Sequence, residues 1–237
     1  MNIYGDRGNI LTLLKRAEWR GYEPELIELG RGTVDRMDEV DVFFFGGGQD
    51  REQGLVYQDL LELKQPSLER AVASGAGVLA VCGGYQLLGD YYQTAGGERF
   101  PGIGMIDVRT EAGTKRFIGD VVVDLRSSDP AVGGLNPPTL VGFENHSGRT
   151  FLGPKARPLG RLRVGFGNNG SDGTEGCLQG GVLGTYLHGS LLPKNPHLAD
   201  HLITSALSRR GAVDLSPLDD SAELAAHDRI LQRAQSR

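Results

Sequence analysis

The chain has 237 residues, 39% of them hydrophobic, enough to bury a core as one large domain or as a domain with an appendage. A formal net charge of -5 argues against an electrostatic grip on nucleic acid. The apolar runs are strand-length, short of the roughly 20 residues a membrane helix needs, and nothing reads as a signal peptide.

Helix-like and strand-like segments alternate through the first half. Ile10, Leu13, Leu14 and Ala17 recur at helical spacing, and Gly21 ends that helix. The run 25–29 has strand length, and Asp41 to Phe45 reads as a buried strand stopped by Gly46, Gly47 and Gly48. Leu55 to Ala73 reads as one or two helices, with a break or restart at Pro66. Val78 to Val81 is the next strand. Strands separated by helices of this length imply βαβ units and a mostly parallel sheet flanked by helices. Polar loop chemistry begins almost at once, at Asn2 to Asn9, where a sheet of this kind usually has a strand; either that strand is absent or the true start lies upstream.

The second half reads as strands at 118–125, 140–143, 161–166 and 182–187, joined by Gly/Pro/Asn turns. A helix follows from Asn195 to Ser208, with Leu198, Leu202, Ile203 and Leu207 on its apolar face. Residues 211–237 form a linker and an amphipathic segment from Ser221, which either docks on the body or stays mobile. The 36 glycines are not periodic and sit mostly where apolar runs end, as a fold with many tight strand-to-loop transitions requires. Two cysteines, Cys82 and Cys177, are too few for a disulfide scaffold and fit a reducing cytoplasm.

Cys82 ends an apolar run, two glycines follow, and a helical pattern then begins: the sequence form of a nucleophile elbow. A helix start at the thiol favours the thiolate. A cysteine merely packing a strand end is the alternative. A thiol nucleophile needs a base. His188 follows the strand 182–187, so it and Cys82 both lie past the carboxyl ends of strands, which converge on one crevice in a parallel sheet. His146, in Phe143-Glu144-Asn145-His146, is a second site-lining candidate together with Glu144. His197 and His201 are four apart on a helix, but no further ligands stand at matching spacing, so no metal is expected. Backbone donors for a developing oxyanion are offered by Gly83 and by Gly48 of the glycine triplet. No Gly-Lys-Ser/Thr follows that triplet, so it is not a nucleoside-triphosphate loop.

The elbow 80–86 and the stretch 184–189 together resemble the class I glutamine amidotransferases of the CobB/CobQ type. Residues 2–9, 45–50 and 142–146 resemble, within that type, the glutaminase subunits of lipid II isoglutaminyl synthases. The resemblance covers about residues 1–210, taken as the amidotransferase domain. It implies a flavodoxin-like α/β fold in which Cys82 attacks glutamine, His188 serves as base and acid, and Arg116 of Lys115-Arg116-Phe117 grips the α-carboxylate of L-glutamine. It also implies a Mur-ligase-like (MurT-like) partner in a cytoplasmic heterodimer. The partner carries ATP and Mg, and amidates the D-glutamate of lipid II with the ammonia; no cofactor is expected in this chain. Many class I relatives carry His-x-Glu, whose glutamate orients the histidine, but position 190 here is serine. Glu144 or another carboxylate is left to orient His188 through space. Two other readings stay open: the glutaminase part of cobyric acid or cobyrinate amidation, and a non-catalytic regulatory module of the same fold.

Overall fold

The computed structural model describes residues 6–47, 57–212 and 215–236. It contains α1 (Asp6–Glu18), β1 (Val42–Phe45), α2 (Gln65–Ala73), β2 (Gly77–Val81), α3 (Gly83–Leu88), β3 (Tyr91–Gln93), β4 (Arg99–Pro101), β5 (Val108–Leu125), β6 (Thr139–Leu152), β7 (Gly160–Val164), β8 (Thr174–Glu175), β9 (Cys177–Gln179), β10 (Val182–Thr185), α4 (Pro196–Arg209) and α5 (Ser221–Gln235). Gly21, at φ 80°, closes the turn after α1. Pro66 stands in the first turn of α2, where a missing N–H costs nothing, after a π-helical turn over Leu60–Lys64.

The first sheet has the order β1-β2-β10-β9, parallel except for its β10–β9 edge. All five residues of β2 are buried, as both faces of a covered parallel strand must be. Val78 and Ala80 face a core that holds Phe43, Tyr85 and Leu88; Leu79 and Val81 face the opposite core, with Leu183, Leu198 and Leu202. That period-two split puts helices on both faces of the sheet.

The second sheet is mostly antiparallel, ordered β4-β3-β5-β7-β8, with β6 also paired to β5. The short strands read at 118–125 and 140–143 are parts of one ribbon, 18 and 14 residues long, interrupted by an irregularity between Ala112 and Phe117. An isolated bridge between Phe143 and His188 ties this ribbon to the first sheet.

One expectation changes and one open alternative closes. Residues 25–29 form no strand: they pair with no ladder, and Leu26 is half exposed. A run of strand length remains a strand only where a sheet edge accepts it. The C-terminal segment is docked. His227 hydrogen-bonds Thr139 Oγ1 through Nε2 and the Lys194 carbonyl through Nδ1, each at 2.9 Å. Arg233 pairs with Asp120 at 2.6 Å, and Ala234 is buried against Val122 and Val141. At the opposite side, the buried Arg16 of α1 reaches Asp200 of α4 at 2.7 Å and Asp220, just before α5, at 2.6 Å.

Candidate active site

Cys82 follows the last residue of β2 and has φ 53° and ψ -109°, a conformation that L-residues adopt only where the surroundings enforce it. Two bonds do so: its N–H donates to the Thr185 carbonyl at 2.9 Å, and its carbonyl accepts the Gln86 N–H at 3.0 Å, starting α3. The second glycine of the pair is required by packing. A Cβ on Gly84 would stand 2.6 Å from both Cβ and the carbonyl oxygen of Phe45, so any side chain there would push α3 off the end of β1.

The glycine loop after β1 closes over this turn. Gly46 accepts the Gly84 N–H at 3.2 Å. Gly47 donates its N–H to Asp6 Oδ2 at 2.7 Å, and a Cβ built on Gly47 would lie 3.8 Å from that of Cys82. The buried Asp6 carboxylate, in the first turn of α1, therefore fixes the loop beside the cysteine. Gly48 lies outside the described residues; Gly83 is buried at the first position of α3.

His188 follows β10, the strand paired with β2. The parallel register ends with Thr185 paired to Val81, the residue before Cys82, and His188 comes three residues after Thr185. Its N–H donates to the Phe143 carbonyl at 2.7 Å, while its Nδ1 bonds the Tyr186 carbonyl. A carbonyl only accepts, so Nδ1 carries the proton and Nε2 is the basic nitrogen. Burial lowers the His188 pKa to about 4, with His146 and Arg116 adding to the shift and the Tyr186 bond opposing it. The ring is held neutral near pH 7, as a proton acceptor must be.

A buried polar stack backs this arrangement. His146 lies flat on Tyr186, with centroids 3.7 Å apart and planes 5° apart. The Tyr186 hydroxyl meets Gln86 Nε2 at 3.1 Å and Thr150 Oγ1 at 2.6 Å. Arg116 projects from the irregular stretch of β5, its Nε held by Asn145 Oδ1 at 2.5 Å with its guanidinium exposed. It is near enough to His188 to repel the protonated ring.

Glu144 serves a different partner from the one expected. Its two carboxylate oxygens accept the N–H groups of Phe166 and Gly167 at 2.8 and 3.0 Å, and it stands 3.5 Å from His146 Nε2. A backbone carbonyl, that of Tyr186, bonds the His188 ring at Nδ1. His197 Nε2 bonds the Thr139 carbonyl at 3.0 Å, and the described residues contain no group of three or more His, Cys, Asp or Glu side chains placed to hold a metal. Cys177 is buried in β9, where burial pushes its thiol up to about 12, and neither cysteine is in a disulfide. No helix among the described residues is long and apolar enough to cross a membrane.

A cysteine on a strand-to-helix elbow, a neutral histidine past the neighbouring strand and a glycine loop beside the cysteine are the kinds of group that acyl transfer from an amide uses. A glutamine amidotransferase of Thermotoga maritima has the same fold, at a TM-score of 0.53 and 16% identity over 95% of this chain and 92% of that one. The chain belongs to the CobB/CobQ-like glutamine amidotransferase family, whose domain profile matches residues 1–196. It is 39% identical over 236 residues to the lipid II isoglutaminyl synthase (glutamine-hydrolyzing) subunit GatD of Staphylococcus aureus strain N315, covering 99% of this chain and 92% of that protein. It is 40% identical to the subunit of the same name from Streptococcus pneumoniae strain ATCC BAA-255 / R6, over 98% of this chain and 84% of that one.

Sequence reasoning quoted the stretch that contains Asp6 without giving it a part, and it missed Asn145 and Tyr186 as supports of Arg116 and His188. Asp6 had a signal, an acidic residue opening a helix; Asn145 had none, because Arg116 is 29 positions away, and Tyr186 had none, because it acts through its backbone carbonyl.

Proposed function

We propose that this chain is the glutamine-hydrolysing subunit of a lipid II isoglutaminyl synthase. Cys82 attacks the side-chain amide carbon of L-glutamine as its thiol proton passes to His188 Nε2. The C–N bond then breaks, His188 returns the proton to the leaving nitrogen, and ammonia departs from a glutamyl thioester. Water, deprotonated by His188, cleaves that thioester, releasing glutamate and restoring the thiol. Gly83, and Gly48 of the glycine loop, supply backbone N–H groups to the oxyanion, and Arg116 takes the α-carboxylate. Glu144 and His146 support the wall behind His188. The ammonia goes to a MurT-like, Mur-ligase-type subunit in the cytoplasm, which holds ATP and Mg and amidates the D-glutamate of lipid II. Residues 1–210 form the amidotransferase domain, with 211–237 as an added linker and helix.

The observation that supports this reading is the His188 ring, bonded at Nδ1 to the Tyr186 carbonyl and following β10, the strand paired with the one that ends at Cys82. The test is ammonia release from glutamine by the chain combined with a MurT-like subunit. Cys82→Ala is expected to abolish it, and wild-type turnover in that variant refutes the assignment. Stable association with a cobalamin-pathway enzyme instead would redirect the reading to cobyric acid amidation.

A further inference from the structure

The buried carboxylate of Glu175 has no part in the chemistry above. Glu175 ends β8 and is fully buried. Its Oε1 accepts two hydrogen bonds at 2.7 Å, from the Thr185 hydroxyl and from the Tyr186 N–H. Thr185 Oγ1 in turn accepts the Leu187 N–H at 3.0 Å.

These bonds fall where β10 runs out of ladder. Its pairing with β9 stops at Gly184 and Cys177, and its pairing with β2 stops at Thr185 and Val81. Beyond that point the strand would present unpaired backbone to a dry interior. The Glu175 side chain takes over as the ladder partner on one side, while on the other the Thr185 carbonyl accepts the Cys82 N–H at 2.9 Å. The same short segment then offers the Tyr186 carbonyl to His188 Nδ1. One dipeptide thus touches both the nucleophile's backbone and the base's ring, and a single carboxylate clamps it.

The turn at Gly176 aims the clamp. Gly176 has φ 64°, and a Cβ there would stand 2.6 Å from the Gly184 carbonyl oxygen. Asn168 holds both backbone groups of Gly176, accepting its N–H at 3.0 Å and donating Nδ2–H to its carbonyl at 2.9 Å. Glu175 therefore sits on a short rigid turn beside β10.

We propose that Glu175 is a positioning residue for the base, acting through the Thr185–Tyr186 segment where a His-x-Glu site has a carboxylate directly behind the ring. The carboxylate fixes where the Tyr186 carbonyl points; the carbonyl fixes the tautomer and tilt of His188. Burying an unpaired carboxylate opposes stability, and burial pushes this carboxyl up to about 7 against the bonds from Thr185 and Tyr186. A leucine would fill such a space at less cost to the fold, and it would leave Tyr186 N–H without an acceptor.

The inference rests on the glutaminase reading, and the test keeps the two apart. Glu175→Leu and Glu175→Gln are compared with the wild type in the two-subunit complex, by glutamine hydrolysis and by nitrogen-15 NMR of labelled histidines, with the His188 signals assigned by their loss in His188→Asn. The glutamine side chain keeps an oxygen able to accept both bonds. Glu175→Leu is expected to lower kcat on the order of 10²-fold, the effect of a small misplacement of a reacting group, with KM for glutamine within about twofold of wild type. Its His188 should lose the Nδ1-protonated signature, and Glu175→Gln should restore both kcat and signature. Equal losses in the two variants, or wild-type kcat in folded Glu175→Leu, overturn the proposal. Where Glu175→Leu does not fold, Thr185→Val decides: removing one of the two donors should lower kcat about tenfold at constant KM, and an unchanged kcat overturns the proposal. If the wild type and Cys82→Ala are equally inactive, the glutaminase reading has failed, while the His188 signature still reports whether Glu175 sets the ring.

Discussion

Because His188 is buried with its pKa lowered to about 4, acid should act on this residue's contribution to stability over a defined window. Above pH 6.5 the ring is neutral in both folded and unfolded chains and adds no pH dependence. Below 6.5 the unfolded chain takes up a proton that the folded site refuses until about pH 4, so stability falls as pH falls through that interval and levels off beneath it. With an unfolded value of about 6.5, the loss from this one group is about 2 kcal/mol at pH 5 and about 3 kcal/mol at pH 4. His188→Asn removes the titration while retaining an N–H that can reach the Tyr186 carbonyl. The assay is urea unfolding of wild type and His188→Asn at pH 7, 6, 5 and 4.5, taking the difference between the two proteins at each pH. That difference should shift in the variant's favour by about 2 kcal/mol between pH 7 and pH 5. A constant difference across the series refutes the argument that burial keeps this imidazole neutral. The same shift places the acid limb of kcat/KM near pH 4 rather than pH 6.5.

Gly84→Ala drives a methyl group to 2.6 Å from the Phe45 backbone, which cannot rotate away, so thermal unfolding should show a loss of about 1–3 kcal/mol with impaired glutamine hydrolysis. Arg116→Ala removes a charge-assisted grip on the substrate carboxylate and should raise KM for glutamine about 10- to 100-fold with little change in kcat; an unchanged KM would exclude Arg116 from glutamine binding. Arg16→Ala strands Asp200 and Asp220, whose carboxylates still reach some water, and should cost roughly 3 kcal/mol in chemical denaturation. A loss below about 0.5 kcal/mol would show that this pair of ion contacts acts as an ordinary surface bridge.

How far the residue order could be read depended on how local the governing interactions were. The elbow at Cys82 was legible because an apolar run, a glycine pair and a helix start are neighbours in sequence. The strand before His188 and the helix after Asn195 were legible from their periods, and the βαβ alternation gave the first sheet. The long ribbon was not: residues 111–116 are mostly polar and glycine-containing, and only the pairing on either side, Ala112 with Gly148 and Phe117 with His146, carries the strand through them. The run 25–29 failed for the opposite reason, since strand-like composition met no sheet edge. Glu175 sits in a turn-rich stretch that looks like any surface loop, and nothing nearby shows that a strand end more than a turn away will bury its carboxylate. The bond to His188 Nδ1 comes from a peptide carbonyl, which has no letter in the sequence.

The loop after His188 is held by two helices, α1 and α5. Asn9 of α1 accepts the Leu192 N–H at 2.9 Å, and His227 of α5 meets the Lys194 carbonyl at the same distance. These contacts span 183 and 33 positions. Contacts of such sequence separation make folding slow, since the loop-closure entropy is lost before the contact forms. The loop beside His188 is therefore finished only once α1 and α5 have both docked, among the later events of folding.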